Sequence, residues 1–225
     1  MGTIELGGCN FIFDEKDGAP GGYKSPEEII LEDWVVTSQY LTRFKVEPDW
    51  TVLISGAWLG IDVVNFAKKC KMVYTLEPFP DTYKKLMTNC EINNVTNVRA
   101  FPIGFSNENH VEVANITDAS CASGVDINYE GNKVVGKIEI TTTTWDNFTN
   151  KYSIKPDLCI FDMEGAENRT LEAMNENLPK RLFISTYHPT NHVGNMLDNL
   201  SKKKYKRTLP DIHYLNTTHS MVFEL

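Results

Sequence analysis

The first residues suited to chemistry are Ser55-Gly56-Ala57-Trp58-Leu59-Gly60, which follow the apolar run Val52-Leu53-Ile54 and precede the apolar-periodic residues Ile61, Val64 and Ala67. The pattern is a strand, a tight turn and a helix. Glycine there permits unusual backbone angles and lets a ligand approach the main chain, as nucleotide-type cofactors do over such turns. Taken alone, Gly-x-x-x-Gly favours a plain turn with no ligand. About twenty residues past the glycines, the acid Glu77, followed by Pro78, closes a second apolar run, where it can accept hydrogen bonds from both hydroxyls of a ribose. Its other reading is a charge near the N-terminus of the next helix. Then Asp162-Met163-Glu164-Gly165-Ala166-Glu167 sets three carboxylates within six residues at another strand-to-helix junction. One acid is ordinary at a helix N-terminus, and three exceed that need. Asp162 is expected to face a cofactor, Glu164 to lie in the loop near a substrate, and Glu167 to serve mainly the first helical turn. Thr186-Tyr187-His188 closes a further strand.

The elements that must position these residues follow from periodicity and turn signals. Thr3 to Phe13 alternates as a small hairpin does, and Lys16 to Gly22 is a Gly/Pro/Asp-rich flap. Ser25-Pro26-Glu27-Glu28 is a capping box with proline at the first helical position. A helix to about Phe44 should follow, with Ile30, Trp34, Thr37, Leu41 and Phe44 on one side. Strands are expected at Met72 to Leu76, Val98 to Ile103, Asp157 to Phe161 and Leu182 to Tyr187. The helices are Pro80 to Asn94, carrying Tyr83, Leu86, Met87 and Cys90 on one face, then Trp145 to Tyr152, Ala166 to Asn175, and one marked by Val193, Met196, Leu197 and Leu200. Met72, Met87 and Met196 sit at core spacing. This β-α-β alternation predicts a parallel sheet with helices on both faces. Ligands of such sheets sit beyond the carboxyl ends of the strands, where strand order reverses. The stretch 106–144 breaks the alternation and reads as an inserted hairpin or lid. Tyr205 to Leu209 and Ser220 to Leu225 form an antiparallel pair at the sheet edge, joined through Pro210-Asp211.

Composition narrows the class. The 225 residues suit a single domain, 1–225, with a flap and helix over 1–45 and the core over 50–225. No apolar run approaches the ~20 residues that span a bilayer, and the first residues lack the pattern of a secretory signal. Five scattered cysteines fit reduced thiols, so a cytoplasmic location is expected. A net charge of −8 disfavours a general nucleic-acid partner. The basic run Lys202 to Arg207 reads as a solvated helix end.

Together, Gly56-Ala57-x-Leu59-Gly60, Glu77-Pro78-x-Pro80, Asn89 to Asn94, Trp145-Asp146, Asp162-x-Glu164-Gly165-Ala166-Glu167 and His188 resemble the FkbM-type methyltransferases, over about residues 50 to 190. The resemblance implies a class I, Rossmann-like α/β fold. This is a three-layer sandwich whose seven-stranded sheet is mainly parallel with an antiparallel C-terminal edge strand. It also implies S-adenosylmethionine as cofactor and a small-molecule or glycan acceptor, most commonly a hydroxyl of a sugar or natural product. The cofactor set is then Ser55, Gly56, Ala57, Trp58, Gly60, Glu77, Pro78, Ile103 and Asp162. The family usually carries an acid at the place of Ile54, asparagine at Trp58, lysine at Ile160 and an acid at Thr186. The first difference removes a usual partner of the cofactor's ammonium, for which Asp162 or Asp62 is the candidate replacement.

The implied reaction is in-line attack of a hydroxyl oxygen on a sulfonium methyl group, so the protein aligns atoms and helps remove a proton. A base with a pKa near the working pH suits that step, which points to His188 first, with Asp162 or Glu164 as rivals. No metal is expected, because Pro189 argues against His188 and His192 sharing a helix face. The alternatives are a degenerate cofactor-binding module and a methyltransferase acting on protein or RNA.

Overall fold

The apolar strand residues divide between two helical layers, as the alternation of side chains along a strand requires. The computed structural model describes residues 1–18, 24–125, 133–186, 188, 193–207, 212–214 and 217–225, with 212–214 and 217–220 described in backbone only. Strand β3 (Thr51–Ser55) lies centrally, parallel to β4 (Met72–Leu76) on one side and β9 (Leu158–Phe161) on the other. Beyond β4 comes β5 (Val98–Phe101), and beyond β9 comes β10 (Arg181–Ser185), both parallel. Strands β11 (Lys206–Arg207), β12 (Ile212–Tyr214) and β13 (Thr217–Glu224) are antiparallel additions. The full order is β11-β13-β10-β9-β3-β4-β5, with β12 on β13. Among the described residues the sheet thus has eight strands rather than the seven expected, the extra one being β12. The turn expected at Pro210-Asp211 lies outside the described residues.

Val52, Ile54, Ile160, Phe183 and Val222 face one layer, made of α1 (Pro26–Phe44), α2 (Ile61–Ala67), α3 (Pro80–Ile92) and the hairpin β1 (Gly2–Leu6) and β2 (Cys9–Phe13). Leu53, Cys159, Phe161, Leu182, Ile184, Met221 and Phe223 face the other, built from α4 (Trp145–Tyr152), α5 (Glu167–Glu172) and α6 (Val193–Lys202). This is the expected three-layer, mainly parallel α/β sandwich. The chain leaves β3 for β4 and β5, then returns to β9 on β3's other flank, so strand order reverses at β3.

Local chemistry sets the ends of α1. Ser25 Oγ accepts from Glu28 N (3.3 Å) and the Glu28 carboxylate accepts from Ser25 N (2.7 Å), the reciprocal cap foreseen in the sequence. The N-terminal hairpin is more than a surface flap, since Cys9, Phe11 and Phe13 are buried in the core. Asn89 holds it there, accepting from Ile12 N (2.7 Å) and donating to Leu59 O (2.8 Å). That bond turns Asn89 inward on α3 and leaves Met87 43% exposed, so Met87 is not the core residue its spacing suggested. The third strand ends at Phe101 rather than Ile103. Gly104–Phe105 forms β6, which joins β7 (His110–Thr117) and β8 (Val134–Thr143) in a separate three-stranded sheet. The expected insert is this sheet together with a short 3-10 turn at Ser120–Ala122. Among the described residues no helix is long and apolar enough to cross a membrane.

Candidate active site

A cavity of about 470 Å³ opens at the carboxyl ends of β3 and β9, where strand order reverses. That size suits a cofactor or other small molecule. Its floor is the turn after β3. Gly56 has φ +86°, and a Cβ there would lie 1.6 Å from the carbonyl oxygen of Asp162, so only glycine lets the ends of β3 and β9 approach. Gly60, at φ +81°, precedes α2 and packs against Leu86, where a Cβ would meet a methyl group at 2.3 Å.

Between the glycines, Trp58 adopts a left-handed backbone with φ +44°. Its N–H donates to Glu77 Oε2 (2.9 Å) and its indole N–H donates to Ser120 Oγ (2.8 Å). Ser120 donates onward to Asp17 (2.5 Å), whose other oxygen takes Lys85 Nζ at 2.6 Å. One chain of polar contacts therefore ties the glycine turn, the insert, the N-terminal segment and α3 together.

Glu77 is buried and accepts from Phe79 N (3.0 Å) and Thr82 Oγ1 (2.8 Å) on Oε1, in addition to Trp58 N on Oε2. A carboxylate offers about four lone-pair directions. These three donors fill Oε1 and leave capacity on Oε2, so one further hydroxyl is accommodated better than two. Burial pushes the carboxyl up to about 7 despite those donors.

Acids dominate the cavity wall. Asp33 from α1 and Asp62 from α2 join Glu77, Asp162, Glu164 and Glu112, with Arg169 as the cation of the lining among the described residues. Arg169 is bound to Glu112 of the insert (3.0 Å). Thr37 donates a short hydrogen bond to Asp62. Burial, with the charge of Asp162, lifts the Asp33 carboxyl to about 7; burial, then Asp33 and Asp162, holds Asp62 well above the usual range.

Asp162 and Glu164 face the cavity from the β9 to α5 loop, where Glu164 and Gly165 take positive φ of 51° and 97°. Behind them His188 has no exposed side-chain surface. Its Nδ1 meets Glu167 Oε1 at 2.7 Å, and its Nε2 stands 3.2 Å from Asp162 Oδ1 and 3.5 Å from Glu164 Oε1. Glu167 also accepts from Met163 N (2.8 Å), so it serves the loop and the histidine as well as the first turn of α5. Burial alone would lower the imidazole's pKa, but the charges of Glu167 and Glu164 and the contact with Asp162 hold it well above the ordinary value.

The cavity wall contains Ser55, Gly56, Ala57, Trp58, Glu77, Pro78, Asp162 and Glu164 of the residues singled out from sequence. Gly60 lies beneath it, Ile103 packs against the core of the second layer, and His188 stands behind the carboxylates. His192 lies outside the described residues. The contributions of Asp33 and the Glu112–Arg169 pair went unforeseen. Ile29, Asp33 and Val36 repeat at helical spacing and all line the cavity, so an acid inside an apolar stripe was the available signal for Asp33. For Glu112 and Arg169 no sequence pattern foretold the meeting of two distant elements.

The family model described as the methyltransferase FkbM domain matches residues 56–207. Among functionally curated proteins no sequence matches the chain. A methyltransferase FkbM from Methylobacillus flagellatus superposes with TM-score 0.54 at 16% identity, covering 92% of this chain and 56% of that one. The chain thus spans little more than half that protein's length. An rRNA methylase from Streptococcus thermophilus gives 0.50 at 13% identity, covering 90% of this chain and 97% of that one. A precorrin-6y C5,15-methyltransferase from Geobacter metallireducens gives 0.55 at 9%, covering 96% and 98%. At these identities the likeness is one of fold.

Proposed function

The chain belongs to the methyltransferase FkbM domain family, and from that membership we propose that it uses S-adenosylmethionine to methylate a hydroxyl oxygen of a saccharide or glycosylated metabolite. The carrying observation is the cavity at the strand-order reversal, floored by the glycine turn and walled by Glu77. When bound, the cofactor supplies an electrophilic methyl group on a sulfonium, together with an ammonium, a carboxylate and a ribose. The chain's own residues fit those groups. Glu77 Oε2 would take a ribose hydroxyl, and the backbone at Ser55–Trp58 would admit the main-chain contact that glycine permits. Asp33 and Asp62 would answer the ammonium. They stand on the helices packed against Ile54, which is 1% exposed and points into that layer, so the acid absent from Ile54 is supplied by its neighbours.

Asp162 and Glu164 are the carboxylates that face an acceptor, so the acceptor proton passes to this pair. His188 has no exposed side-chain atom, and its part is to hold the two carboxylates in place. Glu112 and Arg169 offer an acceptor and a forked donor from the insert side, a combination suited to polyhydroxylated ligands. A net charge of −8 supports a glycan or small molecule over RNA.

Calorimetry with S-adenosylmethionine and S-adenosylhomocysteine tests the cofactor. Wild type should bind both, and Glu77→Ala should lose about tenfold or more, as expected when a charged hydrogen-bond partner is removed. No binding by wild type to either compound sinks the proposal. Methyl transfer to RNA or protein, with none across a glycan and glycoside panel, overturns the acceptor class.

A further inference from the structure

His188, Asp162 and Glu164 come from two separate strand ends, yet they present one nitrogen and two carboxylate oxygens to a common point, all within 4.8 Å of one another. The two ends of the imidazole are treated differently. Nδ1 makes a 2.7 Å contact with Glu167, the length of a charge-assisted hydrogen bond. On Nε2 the distances are 3.2 Å to Asp162 and 3.5 Å to Glu164, at the long end of the hydrogen-bond range. They are equally the separations of ligands sharing one cation. At a metal–ligand distance of about 2.1 Å, neighbouring ligands stand about 3.0 Å apart in an octahedron and about 3.4 Å in a tetrahedron. Glu167, wholly buried, is placed to take the proton of Nδ1, as the carboxylate of a carboxylate–histidine–metal triad does, which would leave Nε2 for a cation.

We propose that Asp162, Glu164 and His188 bind one divalent transition-metal cation of the Mn²⁺ type. Its remaining coordination positions open to the cavity and take neighbouring oxygens of the acceptor. One nitrogen with two carboxylates selects this class over Ca²⁺, which takes oxygen ligands, and over closed thiolate zinc sites. The protein seals one side through His188 and Glu167, while Asp162 and Glu164 line the cavity, as an open catalytic site requires and a structural one does not. A vicinal diol of a sugar is the acceptor chemistry such a site would chelate, and that clause rests on the methyltransferase reading above. Cation binding itself does not. A proton and a cation are alternative occupants of Nε2, and the competing arrangement is an imidazolium held by carboxylates alone.

Metal-stripped protein titrated with MnCl₂, with free Mn²⁺ followed by electron paramagnetic resonance, separates the two. One Mn²⁺ should bind per chain. Glu164→Gln should weaken it by about tenfold or more, and Glu167→Gln, which alters none of the three ligands chemically, by about 10–100-fold. Thermal melts confirm that the variants fold, and Mn²⁺ should raise the wild-type melting temperature more than that of Glu164→Gln at the same concentration. Absence of saturable binding, or equal binding by wild type and Glu164→Gln, overturns the site. S-adenosylhomocysteine calorimetry on the same samples keeps the outcomes apart. Mn²⁺ binding without cofactor binding supports the cation site and fails the methyltransferase reading, whereas cofactor binding without Mn²⁺ binding overturns the cation site alone.

Discussion

Gly56 and Glu77 show how the same cavity imposes two kinds of cost. At Gly56 the cost is steric, because the Asp162 carbonyl occupies the place of a side chain and φ is positive. Gly56→Ala should destabilise the fold by on the order of 4 kcal/mol, whereas Gly104→Ala, whose Cβ would find its nearest neighbours at 3.6 Å, should change the denaturation midpoint little. At Glu77 the cost is electrostatic. Burial holds its carboxyl at about 7 rather than 4.5, so the folded state favours the protonated form. That contribution is complete below about pH 4.5 and is lost as pH rises through about 7. The melting temperature of the ligand-free protein should therefore fall across that window, and Glu77→Gln should flatten the decline. Asp33 acts in the same sense, so part of the slope should survive the substitution. Glu77 was legible in sequence because an acid at that strand end has a distance rule attached to it. The company it keeps was not, since burial and three donors are properties of the assembled cavity.

Among elements, polar contacts add to the apolar packing that joins the hairpin and the insert to the rest of the chain. Asn89 satisfies backbone groups of both β2 and the glycine turn, so Asn89→Leu should cost roughly 2–3 kcal/mol by leaving buried groups unpaired, measured by chemical denaturation. Trp58 reaches Ser120 on the insert through one indole N–H. Trp58→Phe keeps an aromatic side chain and removes that donor, and should cost about 1 kcal/mol while raising amide exchange over 117–124. A tryptophan replacing the family's usual asparagine read from sequence as a departure, and its structural partner lies on the insert. Regular elements were legible because periodicity reports which face is buried. Their ends were less so. The third strand stops at Phe101 because Gly104–Phe105 pairs with β8, a competition set by distant chain. Met87 likewise lost its core place to Asn89, because a buried amide with two backbone partners outweighs one more methionine in the apolar stripe.

The order β-α-β sufficed to predict a parallel three-layer sheet, and hence where a ligand belongs, because right-handed crossovers leave few alternatives. The acidic lining of the cavity was harder to foresee, since Asp33, Asp62, Asp162 and Glu112 lie on four separate stretches that meet only in the folded chain. An acidic cavity in a protein of net charge −8 should draw in a cationic ligand at long range. Association with S-adenosylmethionine should accordingly slow as ionic strength rises past the point where the Debye length falls to about 10 Å, near 0.1 M salt, which stopped-flow fluorescence would record. The same acids also give turnover a direction. Methyl donation turns a sulfonium into an uncharged thioether while the acceptor proton neutralises one carboxylate of the cavity. Once that proton has left, the spent cofactor meets weaker attraction than the molecule that entered, and the restored negative charge favours reloading.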